Sequence, residues 1–293
     1  MRKNIETFIG CDAEYEDAQI VIFGAPFDST TSYRPGARFG SSAIRHESYG
    51  LETYSPYLDK DLMFDAEGNE RYFVFDSGDI ELPMGSSQMA LDAISERTAE
   101  ILDDKKLPLM LGGEHLVTLG AFREVAKRYP DVHIIHFDAH CDLRQEYLGV
   151  ELSHACVIRR CHDIIGDDRI HQFGIRSGDR YEWAFAREGH TDMHPFTLNG
   201  LKECVEQLAK DNRNVYFTID LDVLDPSIFP GTGTPEAGGV TFNELREAIK
   251  LVCSNLNIVG VDINELAPTL DASGVSTAVA CKVVRELLLS LNV

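Results

Sequence analysis

Short runs of apolar and β-branched residues recur along the chain at 20–24, 72–76, 107–111, 132–138, 170–175, 215–220 and 258–263. Runs of this length predict buried strands. Between them, apolar positions fall three and four apart over 87–103, 116–129, 154–164, 200–211, 242–254 and 275–291, the spacing that turns one face of a helix toward a core. The fifth of these segments opens with Thr241-x-x-Glu244, a capping box in which each side chain takes a free backbone N–H of the first turn. Strands alternating with helices predict an α/β fold, a three-layer α/β/α arrangement whose mostly parallel central sheet is covered on both faces. No Ser/Pro/Gly-rich linker, repeat or charge run divides the 293 residues, so a single domain over 1–293 is expected.

Charge narrows the partners. Forty-eight acidic residues against 27 basic ones give a formal charge of −21, which disfavours nucleic acid and anionic membranes and attracts small cations. The N-terminus lacks an apolar leader core, and no stretch reaches the roughly 18 apolar residues of a membrane span. A cytoplasmic protein is expected. The seven cysteines (11, 141, 156, 161, 204, 253, 281) form no C-x-x-C pair and are odd in number, so reduced thiols rather than a disulfide framework are expected.

Candidate chemistry sits just after three of the predicted strands. Gly112-Gly113-Glu114-His115, Asp138-Ala139-His140-Cys141-Asp142 and Asp220-Leu221-Asp222 each offer carboxylate or imidazole where open α/β sheets carry their sites. On an extended segment Asp138, His140 and Asp142 would share one face, as would Asp220 and Asp222, with Cys141 turned away. Two imidazoles and four carboxylates suit a pair of divalent cations, and a hard O/N set without thiolate favours Mn²⁺-like ions. His133 and His136 read as packed or sheet-face residues, and His46, His162, His171, His190 and His194 lack acidic partners at ligand spacing in the sequence. Glu114, adjacent to a candidate ligand but of opposite parity, reads as a supporting residue.

The strings GGEHLVT, FDAHCDLR, LSHACVIRR and TIDLDVLDPSIFPGTGTPEAGG, with GAPFDSTTSYRPGARFGSSAIR upstream, resemble the ureohydrolases, the arginase and agmatinase family, and most closely the bacterial agmatinases. The likeness covers almost the whole chain and implies the arginase/deacetylase-like fold and two Mn²⁺ per chain. It implies that His115, Asp138, Asp142 and Asp220 hold one ion and Asp138, His140, Asp220 and Asp222 the other, with Asp138 and Asp220 bridging at about 3.5–4 Å metal separation. A metal-bridging hydroxide would attack a guanidinium carbon, His154 would carry a proton to the leaving amine, and Glu265 would hydrogen-bond the guanidinium. Asn264 and Cys141 depart from the usual pattern beside these residues. The resemblance further implies a homo-oligomer, trimer or hexamer, and an ordered Gly231–Pro235 loop near the site entrance.

Substrate choice is less determined. Four aspartates, two divalent ions and a hydroxide sum to about −1, which favours a cation. Arginases bind the substrate α-carboxylate with an asparagine where this chain has Arg144, inside a D-L-R string similar to agmatinases. Agmatine, cleaved to the polyamine precursor putrescine and urea, is therefore expected. A bare arginine could equally attract a carboxylate, so 4-guanidinobutyrate or arginine remain alternatives, as does a catalytically silent oligomeric relative. A zinc deacetylase on the same architecture needs one metal, and the full six-residue set argues against it.

Overall fold

A computed structural model of the protein describes residues 6–292. Its strands are β1 (Ile20–Gly24), a small hairpin of β2 (Tyr54–Ser55) and β3 (Lys60–Asp61), β4 (Val74–Asp79), β5 (Leu107–Leu111), β6 (His133–Phe137), β7 (Ile170–Ile175), β8 (Asp192–Pro195), β9 (Asn214–Asp220) and β10 (Asn257–Asn264). All but β2 and β3 join one sheet in the order β4-β1-β5-β10-β9-β6-β7-β8. Every pairing in it is parallel.

Helices α1 (Gly40–Ser48), α2 (Ser87–Asp103), α3 (Val117–Arg128), α4 (Val157–Ile165), α5 (Arg180–Arg187), α6 (Leu201–Lys210), α7 (Phe242–Asn255) and α8 (Val275–Ser290) cover its two faces. Leu91, Phe122 and Ile158 from α2, α3 and α4 build one core with Val21 and Ile134 of the sheet. Val205, Leu245 and Leu287 from α6, α7 and α8 build the other with Ile22 and Ile135. Neighbouring strand residues thus feed opposite cores, which is why these strands read as continuous apolar runs. The Thr241–Glu244 capping box opens α7 as the sequence predicts. Among the described residues no helix is long and apolar enough to cross a membrane.

Three elements differ from expectation, each for a local reason. The strand expected over 72–76 runs instead through the polar Asp76–Asp79 segment, because buried Arg45 pairs with Asp76 at 2.9 Å and also binds Asp79. Edge strand β8 has no apolar run, since only one neighbour holds it. Helix α5 is announced only by its own capping box, Asp179 with Glu182.

Candidate metal centre

The strand order sets β5, β10, β9 and β6 side by side, so the segments leaving their carboxyl ends meet over the middle of the sheet. Backbone closeness makes this possible. A Cβ on Gly113 would lie 2.0 Å from the Phe27 carbonyl oxygen and one on Gly112 would lie 1.8 Å from Asn264 Oδ1, so only glycines let the chain turn there and deliver His115.

All six candidate ligands converge. His115 Nδ1 lies 3.0 Å from Asp138 Oδ2 and 3.3 Å from both Asp142 Oδ2 and Asp220 Oδ2. His140 Nδ1 lies 3.0 Å from Asp222 Oδ2 and 3.4 Å from Asp138 Oδ1. The two oxygens of Asp138 therefore face different imidazoles. The convergence does not come from strand parity: β6 ends at Phe137, Asp142 turns back at φ +53°, and Asp222 sits in a 3-10 turn where its N–H donates to Asp220 Oδ1 at 2.8 Å. The expected common face of an extended segment is replaced by tight turns.

Buried groups behind the cluster aim it. Thr218 donates through Oγ1 to Asp262 Oδ1 at 2.6 Å, so it accepts the His115 Nε2–H at 2.8 Å. Tyr216 Oη and Asn264 Nδ2 also donate to Asp262. His115 Nδ1 is thereby directed at three carboxylate oxygens, an arrangement that calls for a positive charge among them, a proton or a metal ion. His136 is fully buried and does more than pack. Gln172 donates to its Nδ1 at 3.1 Å, and His136 donates from Nε2 to Asp138 Oδ2 at 2.8 Å.

Electrostatics makes the same demand. Burial pushes Asp142 up to about 7, with Asp138's charge adding to it, and burial with the charges of Asp222 and Asp138 raises Asp220. Burial would raise Asp138 too, but hydrogen bonds from His115 and His136 hold it well below the usual carboxylate range. Asp222 Oδ2 is buried and makes no hydrogen bond. Four carboxylates crowded out of water among the rings of His115, His136 and His140 fit divalent cations.

Glu265 and His154 flank this cluster. Glu265, at φ +67°, accepts the His115 N–H through Oε1 at 2.9 Å, and burial, Glu114 and Asp222 together raise its pKa well above the ordinary value. Glu114 is buried and accepts from Thr30 N, Thr30 Oγ1 and Thr31 Oγ1, a supporting position as expected. Thr30 Oγ1 in turn accepts the His154 N–H at 3.0 Å, while Ser32 Oγ lies 3.3 Å from His154 Nε2. Burial, then the His140 charge, lowers His154 to about 4, so its ring is neutral near pH 7.

His140, Asp142 and His154 open on a cleft of about 280 Å³ lined also by Ser32, Cys141, Arg144, Tyr147, Asp179, Glu182 and Thr234. Thr234 brings the 231–235 loop to the mouth, where Arg34 donates to the carbonyls of Thr232 and Gly233. Among the described residues Arg144 is the only lysine or arginine that lines the cleft, and Asp179 at 2.9 Å and Glu182 at 3.5 Å both pair with it. Cys141 is buried in the core shared with α2, α3 and α4, its sulfur against Gly178. Glu146 and Glu151 do not line the cleft.

The comparisons agree with this geometry. Residues 18–290 match the arginase family. The chain belongs to the arginase family. This family member is 49% identical to an agmatinase of Bacillus cereus over 286 residues, 97% of this chain and 96% of that one. A solved Clostridium difficile chain is 51% identical with a TM-score of 0.89, covering 95% of this chain and 98% of the other. The crystal structure of an agmatine ureohydrolase of Thermoplasma volcanium is 33% identical with a TM-score of 0.85, covering 98% and 94%. The protein is an agmatinase-like ureohydrolase, an enzyme on the three-layer fold expected from its sequence.

Several groups around the site escaped the sequence reading. Thr30, Ser32 and Thr218 lie inside the quoted strings and Asp179 and Glu182 form a capping box, but no motif assigns these residues or Asp262 a place at the site. Parity held a clue for two of them: Thr218 shares a face of β9 with Asp220, and Asp262 shares one of β10 with Asn264. The reading that His46, His162, His171, His190 and His194 lack acidic partners is corrected: the fold brings some from distant sequence, while Asp192 stands two residues before His194 and Asp167 five after His162. Glu6 meets His46 at 2.8 Å, and Asp167 meets His162 at 2.7 Å and His190 at 2.8 Å. Asp192 meets His171 at 3.0 Å and His194 at 3.1 Å.

Proposed function

We propose that this ureohydrolase cleaves agmatine to putrescine and urea at two Mn²⁺ ions held by His115, Asp138, His140, Asp142, Asp220 and Asp222. His115, Asp138, Asp142 and Asp220 serve one ion and Asp138, His140, Asp220 and Asp222 the other; the outward aim of both Asp138 oxygens supports its shared role. The oxygen and nitrogen donors favour Mn²⁺. When bound, the ions supply Lewis acidity that makes a water nucleophilic near neutral pH.

The protein's own groups do the rest. Glu265 gives Oε1 to the His115 N–H and keeps Oε2 to accept a guanidinium N–H, a charge-assisted bond. His154, steadied by Thr30 and Ser32 at the cleft wall and neutral at rest, takes the proton given up by the attacking water and passes it to the departing amine.

The observation that carries the choice of substrate is the pairing of Arg144. With Asp179 and Glu182 both on its guanidinium, the one lysine or arginine lining the cleft among the described residues is already paired and not free for a substrate carboxylate, whereas two carboxylates against one guanidinium leave the wall acidic toward a substrate amine. Arginine and 4-guanidinobutyrate carry that carboxylate and agmatine does not. Side-by-side urea-release assays with Mn²⁺ test this. The expected kcat/KM favours agmatine by at least about 10²-fold, roughly 2.7 kcal/mol of differential binding. Preference for either acid would overturn the substrate assignment.

A further inference from the structure

A second cluster of metal-binding side chains lies at the far edge of the sheet. His171 on β7 and Asp192 on β8 are paired in register, and Cys204 comes down on them from α6. Their donor atoms lie within 4.8 Å of one another, and His171 Nδ1 is 3.0 Å from Asp192 Oδ2. This contact resembles the one between His140 and Asp222 in the central site, also 3.0 Å.

The surroundings are those of a supported ligand set. His171 uses Nδ1 toward Asp192, and its Nε2 lies 3.2 Å from Nδ1 of His133, with the two rings stacked. A ligating imidazole is normally held through its other nitrogen in this way. On the opposite side His194 Nε2 is buried without a hydrogen bond and lies 3.1 Å from Asp192 Oδ1, which steers the carboxylate. Asp192 is half exposed, so a metal has an entry path and water can complete the coordination.

We propose that His171, Asp192 and Cys204 form a separate zinc site that ties α6 to β7 and β8. The donor set decides the metal. One thiolate, one imidazole and one carboxylate match tetrahedral Zn²⁺, whereas the central site has no thiolate. Mn²⁺, the weakest of the divalent series and hard in its preferences, competes poorly for this set. On binding, the Cys204 thiol forms its S–Zn bond by releasing its proton to bulk water.

Cobalt is the probe, because a thiolate on Co²⁺ gives a near-ultraviolet charge-transfer band that O/N sites do not. Chelator-stripped protein titrated with Co²⁺ should develop that band to one equivalent, and Zn²⁺ should bleach it. The band should vanish in Cys204→Ser and shrink in Asp192→Asn, both retaining wild-type urea release. It should persist in Asp220→Asn, which alters only the central site. Zinc should also raise the wild-type melting temperature by mass action and leave that of Cys204→Ser unmoved. Absence of the band, or an equal band in Cys204→Ser, would overturn the proposal. Because the readout is spectroscopic, failure here leaves the agmatine reading untouched.

Discussion

The centre of the sheet and its β7–β8 edge hold the same kind of contact in different settings. At the centre four aspartates and two histidines lie largely out of water and are gripped from behind by Thr218, Asp262 and His136. At the edge Asp192 is half exposed and its histidines rest on stacked rings. An imidazole about 3 Å from a carboxylate is therefore not a measure of what the pair does. At the centre removing one partner strands the others in a medium that cannot solvate them; at the edge water takes its place.

The most severe way to break this contrast is Asp138→Asn. It removes the negative charge and turns one of the two oxygens facing His115, His136 and His140 into an amide donor, so urea release should fall to background and bound Mn²⁺ should drop further than in His115→Ala, as read by metal analysis. Retained activity would mean the centre tolerates loss as the edge does. Next comes His154→Ala. Its backbone and ring contacts involve Thr30 and Ser32 rather than the aspartates, so kcat should fall about 10²–10⁴-fold with metal content unchanged. A parallel loss of metal would make His154 part of the cluster instead.

Thr218→Val tests the support behind His115. The substitution keeps the shape but removes the hydroxyl between His115 and Asp262, and Mn²⁺ affinity should weaken by about 10–100-fold while saturating Mn²⁺ restores most activity. Unaltered affinity would show that the ring is held by packing alone. The smallest effect belongs to the edge. Burial, then the charge of His171, lowers His133 from 6.5 to about 4. As pH falls from about 6.5 toward 4 the unfolded chain takes up this proton before the folded one does, so folding stability declines across that window. His133→Gln should flatten the pH dependence of the denaturation midpoint of metal-free protein there, and an identical slope would refute the effect.

Much of the molecule was legible in the chain. Seven apolar runs became seven of the eight strands of one parallel sheet, because burial on both faces selects continuous hydrophobicity. The six candidate ligands were visible because each cluster follows a strand, although turns rather than extended backbone bring them together. Helix α5 carried a readable capping box in Asp179 and Glu182, whose larger consequence, pairing with Arg144, depends on where the helix docks. Strand β8 and the histidines around Asp192 were illegible for a stronger reason. Asp192 and His194 stand two apart on β8, but His171 and Cys204 come from other elements, and residue spacing along a chain carries no record of those pairings.

By itself the sequence determined the alternation of elements, the layered fold, the hard oxygen and nitrogen chemistry of the centre and the likeness to the arginase family. These follow from local periodicity and residue type, which act over a few positions. Only the tertiary structure decided that β5, β10, β9 and β6 lie side by side, that Thr218 and Asp262 orient His115, that Arg144 is already paired, and that His171, Asp192 and Cys204 meet. Each of those is a contact between distant segments, formed when the burial of whole strands and helices fixes which neighbours they share.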